Sequence, residues 1–201
     1  MQRSEPPLDR RGLLIVSLPR NDRDLARAAI DGGADLLKVH VNVHHRAAGT
    51  VFGSLQEEMD RLTAILDLGM PTGLVVGEER MVSHEELPLL QRFAFLDAYL
   101  TYLPLYLYAA GVPVVPAIPH DYPADALSFL RALPGVWAEA ALVAPDGYGK
   151  PPAAGDLVAL ARVAELTGRH LIVPTQRAIH PDDLGRYFEV PAVWAVMIGV
   201  I

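Results

Sequence analysis

The chain contains no cysteine. It can therefore form no disulfide and offers no thiol nucleophile or thiolate metal ligand, a composition that suits a reducing cytoplasm. It has no uninterrupted apolar run near the ~20 residues of a membrane-spanning helix. Its longest apolar stretch, 93–118, is broken by Asp97, Pro104, Gly111 and Pro113. Positive charge is also in short supply: 17 Lys and Arg stand against 24 Asp and Glu, a net charge of −7. No broad basic face is available for nucleic acid. Neither GxGxxG nor GxxxxGK[ST] occurs, which removes the sequence support for a dinucleotide cradle or a P-loop. The first residues, MQRSEPPLDRR, are polar and carry no apolar signal region. The expectation is a cytoplasmic protein that contacts neither membrane nor nucleic acid.

What remains is 201 residues, half of them apolar, enough for one domain with a sizeable core. Residues 1–11 read as a polar tail and 1–201 as one unit. Gly12–Leu18 is a continuous apolar run of the kind found in strands buried on both faces. Asn21 then caps a helix that stops at Gly32-Gly33. Further strands are expected at 34–43, 72–77, 95–102, 112–118, 137–144, 170–174 and 193–201. Helices are expected between them, at 54–68, 83–93, 103–110, 123–133, 156–166 and 181–188. Two of these open on capping boxes, Ser54-Leu55-Gln56-Glu57 and Ser83-His84-Glu85-Glu86. The least strand-like segment is VPVVPAI, because Pro113 and Pro116 cannot donate to a ladder. Strict alternation of eight strands with helices predicts a parallel sheet with right-handed crossovers, closed as a (β/α)₈ TIM barrel of the α/β class. The last outer helix is missing from the pattern, and a second copy of the chain is a candidate to cover that gap.

The strand around which the rest is arranged is ADLLKVHVNVHHR, Ala34–Arg46. Side chains alternate along a strand, so Lys38, His40 and Asn42 are expected on one face and Val39, Val41 and Val43 on the other. His44, His45 and Arg46 follow at its C-terminal end. Burying a cation, an imidazole and an amide in one row is costly without partners, and active sites of such barrels lie at the C-terminal ends of the strands. Reading those ends in turn adds Ser17, Glu78, Glu79, Asp97, Tyr99, Thr101, His120 and Asp121, then Asp146–Lys150, Thr175, Gln176, Arg177 and Gly199. Arg177 ahead of a short helix, with Gly199 ending the eighth strand, predicts an anion site.

Several segments resemble the N-acetylmannosamine-6-phosphate 2-epimerase family of ribulose-phosphate-binding barrels. GLLIVS at Gly12–Ser17 is similar to its first strand and Phe95–Ala98 to its fourth. Gly147-Tyr148 looks like its GY turn. Arg177 with His180-Pro181, and AVMIG at Ala195–Gly199, are similar to its phosphate region. The resemblance implies a barrel with a phosphate site. It does not carry the epimerase reaction, because the family's Glu-Gly-Arg triplet reads Thr175-Gln176-Arg177 here and the catalytic glutamate is absent.

The expected function is an enzyme acting on a small phosphorylated sugar or related anion by proton transfer next to a carbonyl: isomerisation, epimerisation or carbon–carbon cleavage. Lys38 would stabilise an enolate, or form a Schiff base if its pKa is lowered. His40 or His120 would move the proton, and Asn42 would donate to an oxyanion. Arg177, Gln176, Gly199 and Tyr148 would hold the substrate or its phosphate. No cofactor or metal is expected on this reading. One alternative is a metal-dependent enzyme using His40, His44 or His45, and His120. Another is a barrel that binds a ligand or partner without catalysis.

Overall fold

The computed structural model describes residues 10–45 and 48–200; Arg46 and the first nine residues of the tail lie outside them. The barrel strands are β1 (Leu13–Ser17), β2 (Leu36–His40), β5 (Thr72–Val75), β6 (Phe95–Tyr99), β7 (Val114–Pro119), β8 (Trp137–Ala141), β9 (His170–Pro174) and β10 (Val193–Ile198). They pair in parallel, each with its neighbour in this order, and β10 closes on β1. The remaining strands, β3 (His44–His45) and β4 (Thr50–Val51), form a small antiparallel hairpin after β2. The eight-stranded parallel barrel expected from the sequence is the fold.

Two apolar layers hold it. Leu37, Val39, Leu74, Leu96 and Val114 face outward into the helical layer. Leu13, Ile15, Leu36, Phe95, Val115, Trp137, Ile172, Ala195 and Met197 pack inside the barrel. Gly73 has a particular job in that interior. An ideal Cβ at this position would lie 2.2 Å from the Phe95 ring, so only glycine lets that ring fill the barrel's axis. The floor beneath the site is therefore aromatic, with Trp137 edge-on to Trp194 at 5.3 Å.

The outer layer departs from expectation. Helices α1 (Arg23–Asp31), α2 (Leu55–Leu66), α3 (Ala154–Thr167) and α4 (Leu184–Glu189) are α-helical. The segments His84–Arg92, Leu105–Ala109 and Ala126–Ala132 are 3₁₀ turns. Pro88 sits inside the first of these and has no N–H for an i→i−4 bond. The Ser54 capping box forms, with Ser54 N–H donating to Glu57 at 2.7 Å and Glu57 N–H to Ser54 Oγ at 3.3 Å. Gly168, in the left-handed region at φ 67°, ends α3 as a glycine stop should. Pro116 is accommodated because the β7–β8 ladder begins one residue later, at Ala117↔Glu139.

Candidate active site

The alternation of β2 puts Lys38 and His40 inside the barrel, both buried. Asn42 does not join them. The strand ends at His40, and Asn42 takes a left-handed backbone conformation, φ 55°, as the chain swings into the β3–β4 hairpin. Asparagine is one of the few side chains that tolerate this region. The swing is fixed by Asn21, whose amide donates to His40 C=O at 2.7 Å and to Glu58 at 3.1 Å, while His40 N–H donates to Asn21 Oδ1 at 3.2 Å. Asn42 therefore stands outside the mouth, which removes the expected oxyanion role.

Lys38 meets two carboxylates. Its Nζ is 2.9 Å from Asp97 Oδ2 on β6 and 2.5 Å from Glu139 Oε2 on β8. All three groups are buried and together form the base of a mouth of about 680 Å³. Burial alone would discharge the ammonium, but the charges and hydrogen bonds of Asp97 and Glu139 outweigh it and raise the lysine pKa above its ordinary value. The two carboxyls diverge. Burial and the Glu139 charge push Asp97 well up, against the pull of Lys38. Burial also works to raise Glu139, but the Lys38 charge and hydrogen bonds from Asp97 and Lys38 bring it down. The site therefore drives the two carboxyls apart, favouring a proton on Asp97 over Glu139, and they titrate as a unit beside the lysine.

His40 lies one layer higher. Its Nε2 is 3.4 Å from Ser17 Oγ, its ring packs on Phe52 at 4.8 Å, and its Nδ1 has no hydrogen-bond partner. Burial, then the Lys38 charge, holds its pKa well below the ordinary imidazole value, so it is neutral. His45, on the hairpin, approaches it edge-on at 5.3 Å. His44 and His120 are exposed on the rim. The four histidines of the metal reading do not converge. Among the described residues no group of three or more His, Asp or Glu side chains is arranged to hold a metal ion.

The substrate-binding set divides. Gly199 lines the mouth at the end of β10, beside Ser17 and Thr175, and its N–H donates to Thr175 Oγ1 at 3.3 Å. Gln176 and Tyr148 line it too, but they are joined to each other: Gln176 Nε2 donates to the Tyr148 hydroxyl at 2.7 Å, and its Oε1 accepts from Val143 N–H at 3.0 Å. Arg177 is turned away from the mouth. It grips Asp156 of α3, Nη2 to Oδ1 at 2.9 Å and Nε to Oδ2 at 3.1 Å, and donates to Gly147 C=O at 3.0 Å. Gly147 is needed for this approach, since a Cβ there would lie 2.8 Å from Nη1. The expected anion clamp is instead a staple that ties the loop after β8 to α3 and the end of β9.

Asp97 and Glu139, which the assigned set of catalytic residues omitted, carried the same signal as Lys38. In FLDAY and WAEAA a single charge sits among apolar residues, two positions from an inward-facing aromatic. Alternation therefore turns both inward.

No family model matches the chain, and no curated protein matches it. Solved structures do. Phosphoribosyl anthranilate isomerase from Thermus thermophilus aligns with a TM-score of 0.60 at 18% identity, covering 92% of this chain and 86% of that one. A mutant tryptophan synthase alpha-subunit from Pyrococcus furiosus gives 0.65 at 14%, covering 95% and 88%. An HpcH/HpaI aldolase from Desulfitobacterium hafniense gives 0.60 at 10%, covering 92% and 85%. This protein shares their barrel. At these identities the likeness is one of fold. It agrees with the barrel implied by the sequence resemblance and is silent on the epimerase chemistry.

Proposed function

We propose that the protein is an enzyme that transfers a proton next to the carbonyl of a small sugar phosphate or related anion, with Lys38, Asp97 and Glu139 as its reacting centre. The observation that carries this reading is the pair of carboxyls, both within hydrogen-bond reach of Lys38 Nζ, whose proton affinities the site drives apart. Two acids separated in this way divide the roles of proton donor and acceptor. Glu139 takes the proton from the carbon beside the carbonyl, and the bonding pair moves to the carbonyl oxygen. Lys38 ammonium stabilises the resulting enolate, and Asp97 returns a proton to carbon or oxygen.

The raised lysine pKa favours this electrostatic role over a Schiff base, which needs a neutral amine. His40, neutral and bonded to Ser17, serves as a wall of the site and a hydrogen-bond relay. An anionic end of the substrate is best received beside Gly199, by the hydroxyls of Thr175 and Ser17. The acidic loop residues that line the mouth, Glu78 after β5 and Asp121 after β7, are each three strands around the barrel from β10. The barrel enzymes named above are an isomerase, a synthase subunit and an aldolase, which is consistent with chemistry of this class but does not specify it.

The test is solvent-deuterium incorporation. Triose, tetrose, pentose and hexose phosphates and their unphosphorylated forms are incubated with the protein in D₂O and read by proton NMR. Exchange at the carbon beside the carbonyl, lost in Glu139→Gln, supports the reading. No exchange with any member of the panel opposes it.

A further inference from the structure

His45 is not used by the three-residue centre, yet the hairpin is built to present it. β3 and β4 pair His45 with Thr50 and His44 with Val51, which brings the imidazole over the mouth, where it lies among the lining residues with Lys38 and His40. Ala48, at the hairpin turn, donates its backbone N–H to His45 Nδ1 at 3.1 Å. A nitrogen that accepts a hydrogen bond cannot carry a proton, so a neutral His45 ring has its hydrogen on Nε2. That Nε2 has no hydrogen-bond partner among the described residues. The neighbouring His40 ring, 5.3 Å away between centroids, has its Nδ1 buried and unpartnered. The half-buried His45 thus presents a free Nε2–H at the mouth beside a buried, unfilled imidazole nitrogen, a donor that a ligand oxygen entering the mouth can meet.

We propose that His45 is the oxyanion donor of the site: its Nε2–H, set by the Ala48 backbone, binds the substrate oxygen on which negative charge develops. This rests on the proton-transfer reading above. A neutral imidazole suits the task for a physical reason. The groups facing it are Lys38, already charged, and His40, already neutral. Burial and the Lys38 charge keep His45 itself below its ordinary pKa, so at neutral pH it donates without adding a second cation beside the lysine. Lys38 and Nε2–H then approach the enolate as one charged and one neutral donor. The donor is fixed before substrate arrives and costs little reorganisation.

Long-range proton–nitrogen correlation spectra of the labelled protein read the tautomer directly, and glycolohydroxamate, a small enediolate mimic, serves as the probe. The expected result is a His45 ring protonated on Nε2 alone at pH 7, whose Nε2–H resonance moves downfield when the mimic is added. His45→Phe should bind the mimic about tenfold or more weakly, the scale of one hydrogen bond to a charged oxygen, and His45→Gln, which keeps an N–H near the same place, should recover most of it. Protonation on Nδ1, an unmoved Nε2–H signal, or equal affinity in His45→Phe overturns the proposal. If the parent does not bind the mimic yet exchanges deuterium with a sugar phosphate, the donor assignment fails and the proton-transfer reading stands. If it neither binds nor exchanges, both fail.

Discussion

Replacing Lys38 with methionine separates the forces at the base of the mouth. An unpaired buried lysine would cost desolvation energy, so the same change would leave the protein as stable or more so. Here the ammonium lies 2.9 Å from Asp97 and 2.5 Å from Glu139, with all three groups buried. Methionine keeps the length and stem, so packing loss is small. What it removes is the cation that keeps Glu139 ionised. Removing one partner of a buried ion pair costs about 3–5 kcal/mol. For a chain of this size each kcal/mol shifts Tm by about 2–4 °C, so Lys38→Met should melt about 6–20 °C below the parent at pH 7. The loss should shrink at acid pH, where Glu139 can take up a proton. It should also shrink in the double variant Lys38→Met/Glu139→Gln, whose remaining groups are neutral. Scanning calorimetry of parent, single and double variants at pH 5 and 7 decides the matter. A single variant as stable as the parent at pH 7, or a double variant no more stable than the single, would refute the ion-triad account.

Four further outcomes follow from the geometry. Buried His40 and half-buried His45 have lowered pKa values, so the unfolded chain binds more protons than the folded one as pH falls below the ordinary imidazole value of 6.5. Stability is therefore present above that value and lost below it, and His40→Gln should flatten the acid limb of a plot of Tm against pH; an unchanged limb would contradict the assignment. Arg177→Ala should lower Tm and loosen the loop after β8, seen as faster amide exchange over 143–150, with ligand affinity little changed. Any large loss of sugar-phosphate affinity would return Arg177 to the binding site. Gly73→Ala should cost about 1–3 kcal/mol by overpacking against Phe95, and Phe95→Leu in the same chain should recover part of it; a neutral single variant counts against the packed floor. Borohydride treatment with a carbonyl probe should leave no mass adduct on Lys38, because the amine is held protonated, and an adduct there would restore the Schiff-base route.

The barrel was legible in the sequence because its signals are local and repeated. Eight apolar runs of strand length, each followed by a break, leave few other arrangements. Period-two alternation placed Lys38 and His40 inside correctly, and the same rule applied to Asp97 and Glu139 would have completed the centre. It failed at Asn42 because alternation says which face a residue takes only while the strand lasts. This strand is ended at His40 by Asn21 and Glu58, residues distant in sequence. Arg177 failed for a related reason. Its partner Asp156 lies 21 residues upstream, and an arginine at a strand end reads the same whether it meets a phosphate or a carboxylate. Helical periodicity marked the outer segments but did not distinguish α from 3₁₀, a choice that Pro88 and short chain length made locally. His45's tautomer depended on a turn amide three residues away, which composition does not show.

The measurement that bears most directly on the central claim is deuterium incorporation with the sugar-phosphate panel, run side by side on the parent, Glu139→Gln and Asp97→Asn, with folding of each checked by circular dichroism. The account predicts exchange beside the carbonyl for at least one compound in the parent, and a fall of about 100-fold or more in both folded variants, the lower range of general acid–base catalysis. Exchange that survives in either folded variant, or a parent that is stabilised by one of these compounds and never exchanges it, would contradict a proton-transfer centre at Lys38, Asp97 and Glu139.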